Sequence, residues 1–234
     1  MRPKILHEWT RRTSEAARIQ KEILRPLHEL YGLTPDRGLV LGIEVAFNEN
    51  LKKVYCASVL MRYPGFSELE RGFAEADTPF PHNPDLHSFR EGGVICKSLE
   101  NIKATPDFLM IQGDGINAIS EIGIATHMGM IFDIPSIGCA RRMRSGTRPK
   151  VGKFKGATTR ILRDGQEVAI AVRTKPKVKP IYISPGYKIG LADSERLVMG
   201  MLRGFRTPEP IRVPHLLVMR LKNESARLEE AERS

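Results

Sequence analysis

Three carboxylates in this sequence sit where chemistry can be done. Glu44 interrupts the apolar run Gly38-Leu-Val-Leu-Gly-Ile-Glu-Val-Ala-Phe47, and a carboxylate that faces a core is costly unless it meets a partner or a metal. Glu91 follows Ser88-Phe-Arg90 at the start of an expected helix, where the helix dipole favours negative charge. Asp114 lies between two glycines directly after the short apolar run Phe108-Leu-Met-Ile111, the position at which open α/β sheets place their ligands. Each has a plain structural alternative: an exposed strand face for Glu44, ordinary first-turn charge for Glu91, a simple turn residue for Asp114. Hard divalent cations want several carboxylate oxygens gathered from different elements, so the three together read as a candidate metal site.

Charge is the second signal. The chain carries 37 Lys and Arg against 27 Asp and Glu in 234 residues, a formal net charge of +10. Between Arg141 and Lys188 stand fourteen basic residues and two acidic ones, Asp164 and Glu167, so this stretch alone holds +12 and the remainder sums to −2. Its Gly146, Pro149 and Gly152 suggest a loop able to follow a phosphodiester backbone. Charged residues ordinarily form a solvated face, but a run this one-sided points to nucleic acid as the partner. A membrane surface fits less well, because the run has no amphipathic helical pattern with bulky anchors. In such a pairing Mg²⁺ would neutralise phosphate oxygens and activate water, while Lys and Arg hold the backbone.

Elements able to position these groups are legible as apolar runs between turn residues. Leu39 to Phe47 and Val54 to Tyr63 read as hairpin-paired strands, with Asn48-Glu-Asn50 between them. The polar stretch after Pro64-Gly65 is helix or strand. Ser88 to Lys103 suits a helix, Phe108 to Ile111 a short buried strand, Ile116 to Met130 a Gly-interrupted helix, and Met130 to Gly138 a strand and turn. Thr158 to Leu162 and Val168 to Arg173 flank the hairpin turn Arg163-Asp-Gly-Gln166, and Pro180 to Ile183 adds a strand. Ser194 to Gly204 has helical spacing. The opening segment, with Ile5, Trp9, Ala16, Ile19, Ile23, Leu27 and Leu30, reads as an amphipathic helix, whole or broken, that ends near Tyr31-Gly32. Strands followed by alternating strands and helices imply an α/β domain on a mixed sheet. The expected division is a helical segment over 1–35, one domain over 36–212, and a charged helical tail over 213–234.

That length suits one domain with a sizeable core. No apolar run approaches the roughly 18 to 20 residues that span a bilayer, and the first residues lack the continuous apolar core of a secretory signal. A cytoplasmic monomer without membrane contact is the expectation. Cys56, Cys96 and Cys139, odd in number and widely spaced, read as buried thiols.

Taken in order, the segments resemble the endonuclease V family, metal-dependent enzymes of RNase H-like fold that cleave near inosine in DNA or RNA. The carriers are Gly42-Ile-Glu-Val-Ala-Phe47, Tyr63-Pro64, Pro81-His-Asn-Pro84, Ser88-Phe-Arg-Glu91, Gly113-Asp-Gly115, Gly123-Ile-Ala-Thr-His-Met-Gly129, Asp133-Ile-Pro-Ser-Ile-Gly138 and Arg206-Thr-Pro-Glu-Pro-Ile-Arg212. They run from about Gly38 to Arg212, most of the chain.

What the resemblance implies at the site is a family pattern with altered residues. The first catalytic aspartate falls on Glu44, one methylene longer, and the catalytic glutamate on Glu91. The second aspartate falls on Gln112, a neutral amide. A histidine between the glycines becomes Asp114, a further histidine becomes Ala118, and the family lysine becomes Arg141. The resemblance thus implies Mg²⁺, with Mn²⁺ as an alternative, on Glu44, Glu91 and Asp114, and Arg141 on the developing phosphate charge. The family's tyrosine wedge becomes His82 and Asn83, a pocket leucine becomes His87, and Gly113, Gly123 and Gly138 imply a base pocket. Arg142, Lys153 and Lys155 complete the nucleic-acid-binding candidates. Two readings stand open: Asp114 replaces the lost aspartate and cleavage survives, or the site has decayed and a nucleic-acid-binding module remains.

Overall fold

The computed structural model describes residues 1–4, 6–22, 36–78, 83, 86–143 and 149–232. A first helix, α1 (Thr13–Glu22), precedes the hairpin β1 (Gly38–Asn48) and β2 (Lys53–Tyr63), and the polar stretch after Pro64-Gly65 is a third strand, β3 (Ser67–Asp77). There follow α2 (His87–Leu99), β4 (Phe108–Ile111), α3 (Ile124–Phe132), β5 (Ser136–Ala140), the hairpin β6 (Thr158–Arg163) and β7 (Gln166–Val172), β8 (Ile181–Tyr187), α4 (Leu191–Gly200) and α5 (Glu209–Glu232). The strands form one eight-stranded sheet in the order β3-β2-β1-β4-β5-β8-β7-β6. Its middle, β1, β4 and β5, is parallel, and both flanks are antiparallel. Charged Glu68, Glu70, Arg71 and Glu75 on the edge strand β3 discourage pairing with another chain.

Alternation along the central strands decides which helix meets which residue. Leu41, Ile43, Leu109 and Ile111 face α2 and α3 in one apolar core. Val40, Phe108, Met110, Ile137 and Cys139 face the opposite way, into a core with Leu197 of α4 and Ile211 of α5. Burying each such aliphatic side chain stabilises the fold by about 1.5–3 kcal/mol. On this second face Gly42 lets α5 approach closely: a Cβ there would stand 1.8 Å from the Pro210 carbonyl oxygen. The thiols of Cys56, Cys96 and Cys139 are free and buried, and burial pushes those of Cys96 and Cys139 up to about 12, so they are inert as nucleophiles.

Three sequence expectations are corrected. The opening segment is not helical before Thr13; it lies across α2 and α3, with Trp9 against Gly92 and His7 Nε2 2.7 Å from His127 Nε2. Tertiary contacts to these two helices outweigh its helical spacing, and the expected helix beyond Glu22 falls on 23–35, outside the described residues. The helix expected from Ile116 starts only at Ile124, because the preceding residues form a turn closed by Gly115 N–H on the Asn117 side chain at 2.9 Å and by Glu121 N–H on the Ala118 carbonyl at 2.9 Å. The charged helical tail expected from residue 213 starts four residues earlier than expected. One helix, α5, begins at Glu209, runs through Pro214 and packs on β1 and β2. No helix among the described residues is long and apolar enough to cross a membrane.

Asp133 ends α3 in the left-handed conformation, at φ +57°, and collects three donors. Lys188 Nζ lies at 2.7 Å, Lys4 Nζ at 2.8 Å and Tyr187 OH at 2.8 Å, and these hold its carboxyl well below the usual range. A depressed folded-state value means stability that is present above the ordinary value of 3.8 and lost as pH falls below it. Asp133→Asn keeps a residue that tolerates this backbone and removes only the charge. Urea unfolding should show a loss of about 1 kcal/mol at neutral pH, the partly exposed pairs being screened by solvent, and a shallower decline of stability in acid.

Candidate active site

The parallel pairing of β1, β4 and β5 runs out at one place, midway along β1 and at the C-terminal end of β4. Ile43 pairs with Ile111 across β1 and β4, and Ile111 with Gly138 across β4 and β5. The residues just beyond, Glu44 and Gln112, are therefore neighbours, and the Gln112 N–H donates to the Ile43 carbonyl at 3.1 Å. Arg141 follows directly after β5, two residues past Cys139. By alternation Glu44 belongs to the face that Gly42 opens to α5, and α5 supplies His215.

Glu44 is 2% exposed, which rejects the exposed-strand alternative. Arg141 Nη2 donates to Glu44 Oε1 at 2.5 Å. His215 Nδ1 lies 3.4 Å from the same oxygen, and Arg141 Nη1 stands 3.1 Å from both ring nitrogens of His215. Burial pushes the Glu44 carboxyl above its ordinary value; the His215 contact and the Arg141 charge pull it down, and the charge of Glu91 adds to the rise. Glu91, 4% exposed on α2, has His87 Nδ1 2.7 Å from its Oε1, a pair that is ionic when His87 is protonated. His87 thus lies against Glu91. Among the described residues, Glu44 Oε2 and Gln112 Oε1 are buried acceptors without a protein donor.

Asp114 does not join this group. Residues two apart at a strand end point the same way only where the strand continues, whereas β4 ends at Ile111 and Gly113 takes φ +152°. The Asp114 carboxylate instead accepts from Asn117 Nδ2 at 2.9 Å, and its carbonyl accepts the Ala125 N–H at 3.1 Å at the start of α3. A hard cation wants several charged oxygens. The set present offers Glu44, already bound to a guanidinium, Glu91, held against His87, and one neutral amide. Among the described residues no three His, Cys, Asp or Glu side chains gather so as to hold an ion. These donors do not fit the metal centre expected from Glu44, Glu91 and Asp114.

The three glycines of the expected base pocket pack on the chain itself. A Cβ on Gly123 would meet the Asp114 carbonyl oxygen at 2.2 Å, and one on Gly138 would meet the Gly113 carbonyl oxygen and the Gly115 nitrogen at 2.7 Å. The turns thus close on one another, with no room for a side chain at either position. Of the wedge positions, Asn83 is half-buried and His82 lies outside the described residues.

The basic segment divides by use. Arg163 donates to the carbonyls of Ile116 and Ala118 at 2.8 and 2.6 Å, which pins the turn before α3, and Lys188 holds Asp133. Arg142, Lys153 and Lys155 are exposed. Arg141, Arg142, Arg173 and Lys179 line a cavity of about 470 Å³ with Tyr182, and no Asp or Glu is among its described lining residues. His215 is the site residue that sequence reasoning missed. Its signal was a titratable side chain on the helical face shared by Ile211 and Val218, three residues past the last motif of the resemblance.

Comparison with known proteins agrees with this architecture. The family model for endonuclease V matches residues 27–216. The endonuclease V of Methanothrix thermoacetophila is 34% identical over 220 residues, covering 94% of this chain and 96% of the relative. The crystal structure of endonuclease V from Streptomyces avermitilis superposes with a TM-score of 0.85 at 26% identity, covering 97% of this chain and all of the other. That of Ciona intestinalis endonuclease V, in complex with DNA containing an inosine, superposes at 0.73 with 21% identity, covering 90% and 96%.

Proposed function

The chain belongs to the endonuclease V family and has its RNase H-like fold, and from that premise we propose that it is a nucleic-acid-binding protein directed at inosine-containing DNA or RNA whose phosphodiester cleavage is weakened. One residue carries this reading. Arg141 lies both against Glu44 and in the wall of the acid-free cavity, so it ties the carboxylate site to the surface that meets phosphate. Family relatives such as the Ciona enzyme, crystallised on inosine-containing DNA, support the partner.

Each element of the site has a binding or orienting task in this reading. Arg142, Lys153, Lys155 and Lys179 attract and hold the backbone by charge, a contribution that weakens steeply with salt. Arg141 directs one N–H of Nη1 to His215 and one of Nη2 to Glu44, and its remaining N–H groups can donate to phosphate oxygens, while His215 beside Glu44 can hold a proton at Oε1. Mg²⁺ or Mn²⁺ is the cofactor such cleavage would use, to activate water and neutralise phosphate charge. With Glu44 neutralised by Arg141 and Gln112 uncharged, the donor set is poor for it, and this favours a second reading in which binding persists without cleavage.

A single assay separates the two. Labelled single- and double-stranded DNA and RNA, with and without inosine, are incubated with Mg²⁺ or Mn²⁺, and binding and product are followed together. The proposal expects salt-sensitive binding and slow product that disappears in Glu91→Ala. Product unchanged in Glu91→Ala would remove this site from the reaction, and binding without product would select the second reading.

A further inference from the structure

Arg173 organises a loop to which the cleavage chemistry assigns no task. Its guanidinium donates to the carbonyls of Val151, Gly152 and Val178. Its own N–H donates to the Ala157 carbonyl at 2.9 Å, and its carbonyl accepts the Gly156 N–H at 2.8 Å. These bonds tie both ends of the loop 151–157 to Arg173. At the tip Phe154 stands 69% exposed between Lys153 and Lys155, which are exposed as well. A single exposed apolar side chain needs no explanation. This one is presented by a braced loop, flanked by two cations, and Val151 at the base of the same loop lines the cavity with Arg141, Arg142 and Lys179.

We propose that the loop and the cavity form a binding site for an unpaired stretch of nucleic acid: a backbone phosphate seats among Arg141, Arg142 and Lys179, and the base of an adjacent nucleotide stacks on the Phe154 ring. The inference rests on the nucleic-acid reading above and adds which form of the partner the chain prefers. Arg142 and Lys179 line one cavity beside Arg141 and Arg173, with no acid among its described lining residues; the Glu44 contact offsets part of the Arg141 charge, and an anion relieves the repulsion that is left. Phosphate contacts hold the strand but carry no sequence information. A base in a duplex already has both faces covered, whereas an unpaired base has a face free for an aromatic ring, and every base has such a face. The site therefore selects for unpaired over paired strands and tolerates any sequence.

Fluorescence anisotropy with short labelled strands tests this on the full chain, with circular dichroism to confirm that each variant is folded. Phe154→Ala should weaken single-strand binding about tenfold with the salt dependence unchanged, leave blunt duplex binding as it was, and be rescued by Phe154→Trp. On an abasic strand of the same length the parent and Phe154→Ala should bind alike. Replacing Arg142 and Lys179 by Ala should weaken binding and flatten the plot of log affinity against log salt by about 0.7 for each single-strand phosphate that is no longer neutralised. Phe154→Ala that binds single strands as tightly as the parent, or that weakens duplex binding equally, overturns the stacking site while the nucleic-acid reading stands. A parent protein that binds no strand at low salt overturns both.

Discussion

A variant carrying Glu44→Asp, Gln112→Asp and Arg141→Lys should cleave an inosine-containing strand about 100-fold faster than the natural chain, or more, in the presence of Mn²⁺. The size follows from what is restored. A metal ion at a phosphoryl site contributes several kcal/mol of charge stabilisation, and each 1.36 kcal/mol is a factor of ten in rate. In the natural chain Glu44 meets Arg141 at 2.5 Å, and its neighbour Gln112 contributes no charge. Shortening Glu44 withdraws the carboxylate from the guanidinium, the second aspartate supplies a charged oxygen in register with it, and lysine is a compact cation without the two-pronged grip of arginine. Mn²⁺ binding followed by electron paramagnetic resonance gives a readout independent of turnover. It should be tight in the variant and weak in the parent. A variant that gains neither ion binding nor rate would refute the account in which Arg141 and Gln112 disable the site.

Gly42→Ala is expected to cost about 3 kcal/mol, the upper part of the range for overpacking a well-filled core. For a chain of this size that lowers Tm by roughly 6–12 °C. The new Cβ would stand 1.8 Å from the Pro210 carbonyl oxygen and 2.6 Å from its carbon. Both are backbone atoms, so no side chain can rotate to make room and α5 must shift as a body. Because α5 carries His215, the contact between His215 and Glu44 should loosen along with the helix. Gly93→Ala is the matched control: its nearest neighbour, Trp9, is 3.8 Å away, and alanine favours a helix interior by about 1 kcal/mol. Thermal unfolding of the two variants side by side checks the seating of α5, and equal Tm values would refute it.

Local signals in the chain were enough for much of the sheet. β1, β2, β4 and β7 are apolar runs bounded by turn residues, β6 is joined to β7 by a hairpin turn, and each formed within a few residues of where the sequence placed it. Local signals were insufficient where two structures compete for one segment. The residues around Trp9 have helical spacing but lie across α2 and α3, and Ile116 to Gly123 has helical composition but is held as a turn by Asn117 and by Arg163, which is distant in sequence. Pro214, near the expected boundary at residue 212, sits inside α5 because the helix is anchored on both sides of it, by Ile211 and Val218.

The site divides along the same line. Residue type and order were sufficient to identify the family, the suspect positions Glu44, Gln112, Glu91 and Arg141, and the concentration of +12 between Arg141 and Lys188. Which of these groups meet was settled in three dimensions. Parallel pairing of β1, β4 and β5 brings Glu44, Gln112 and the segment leading to Arg141 to one end of the sheet. The Asp114 carboxylate is held by Asn117 after the Gly113 turn and gathers with no two other acids or histidines among the described residues, and the close contact of Gly42 with Pro210 delivers His215 from a helix that the sequence had set apart. Charge along a chain is additive and can be counted, whereas the direction of a side chain depends on the backbone angles of its neighbours and on elements far away in sequence.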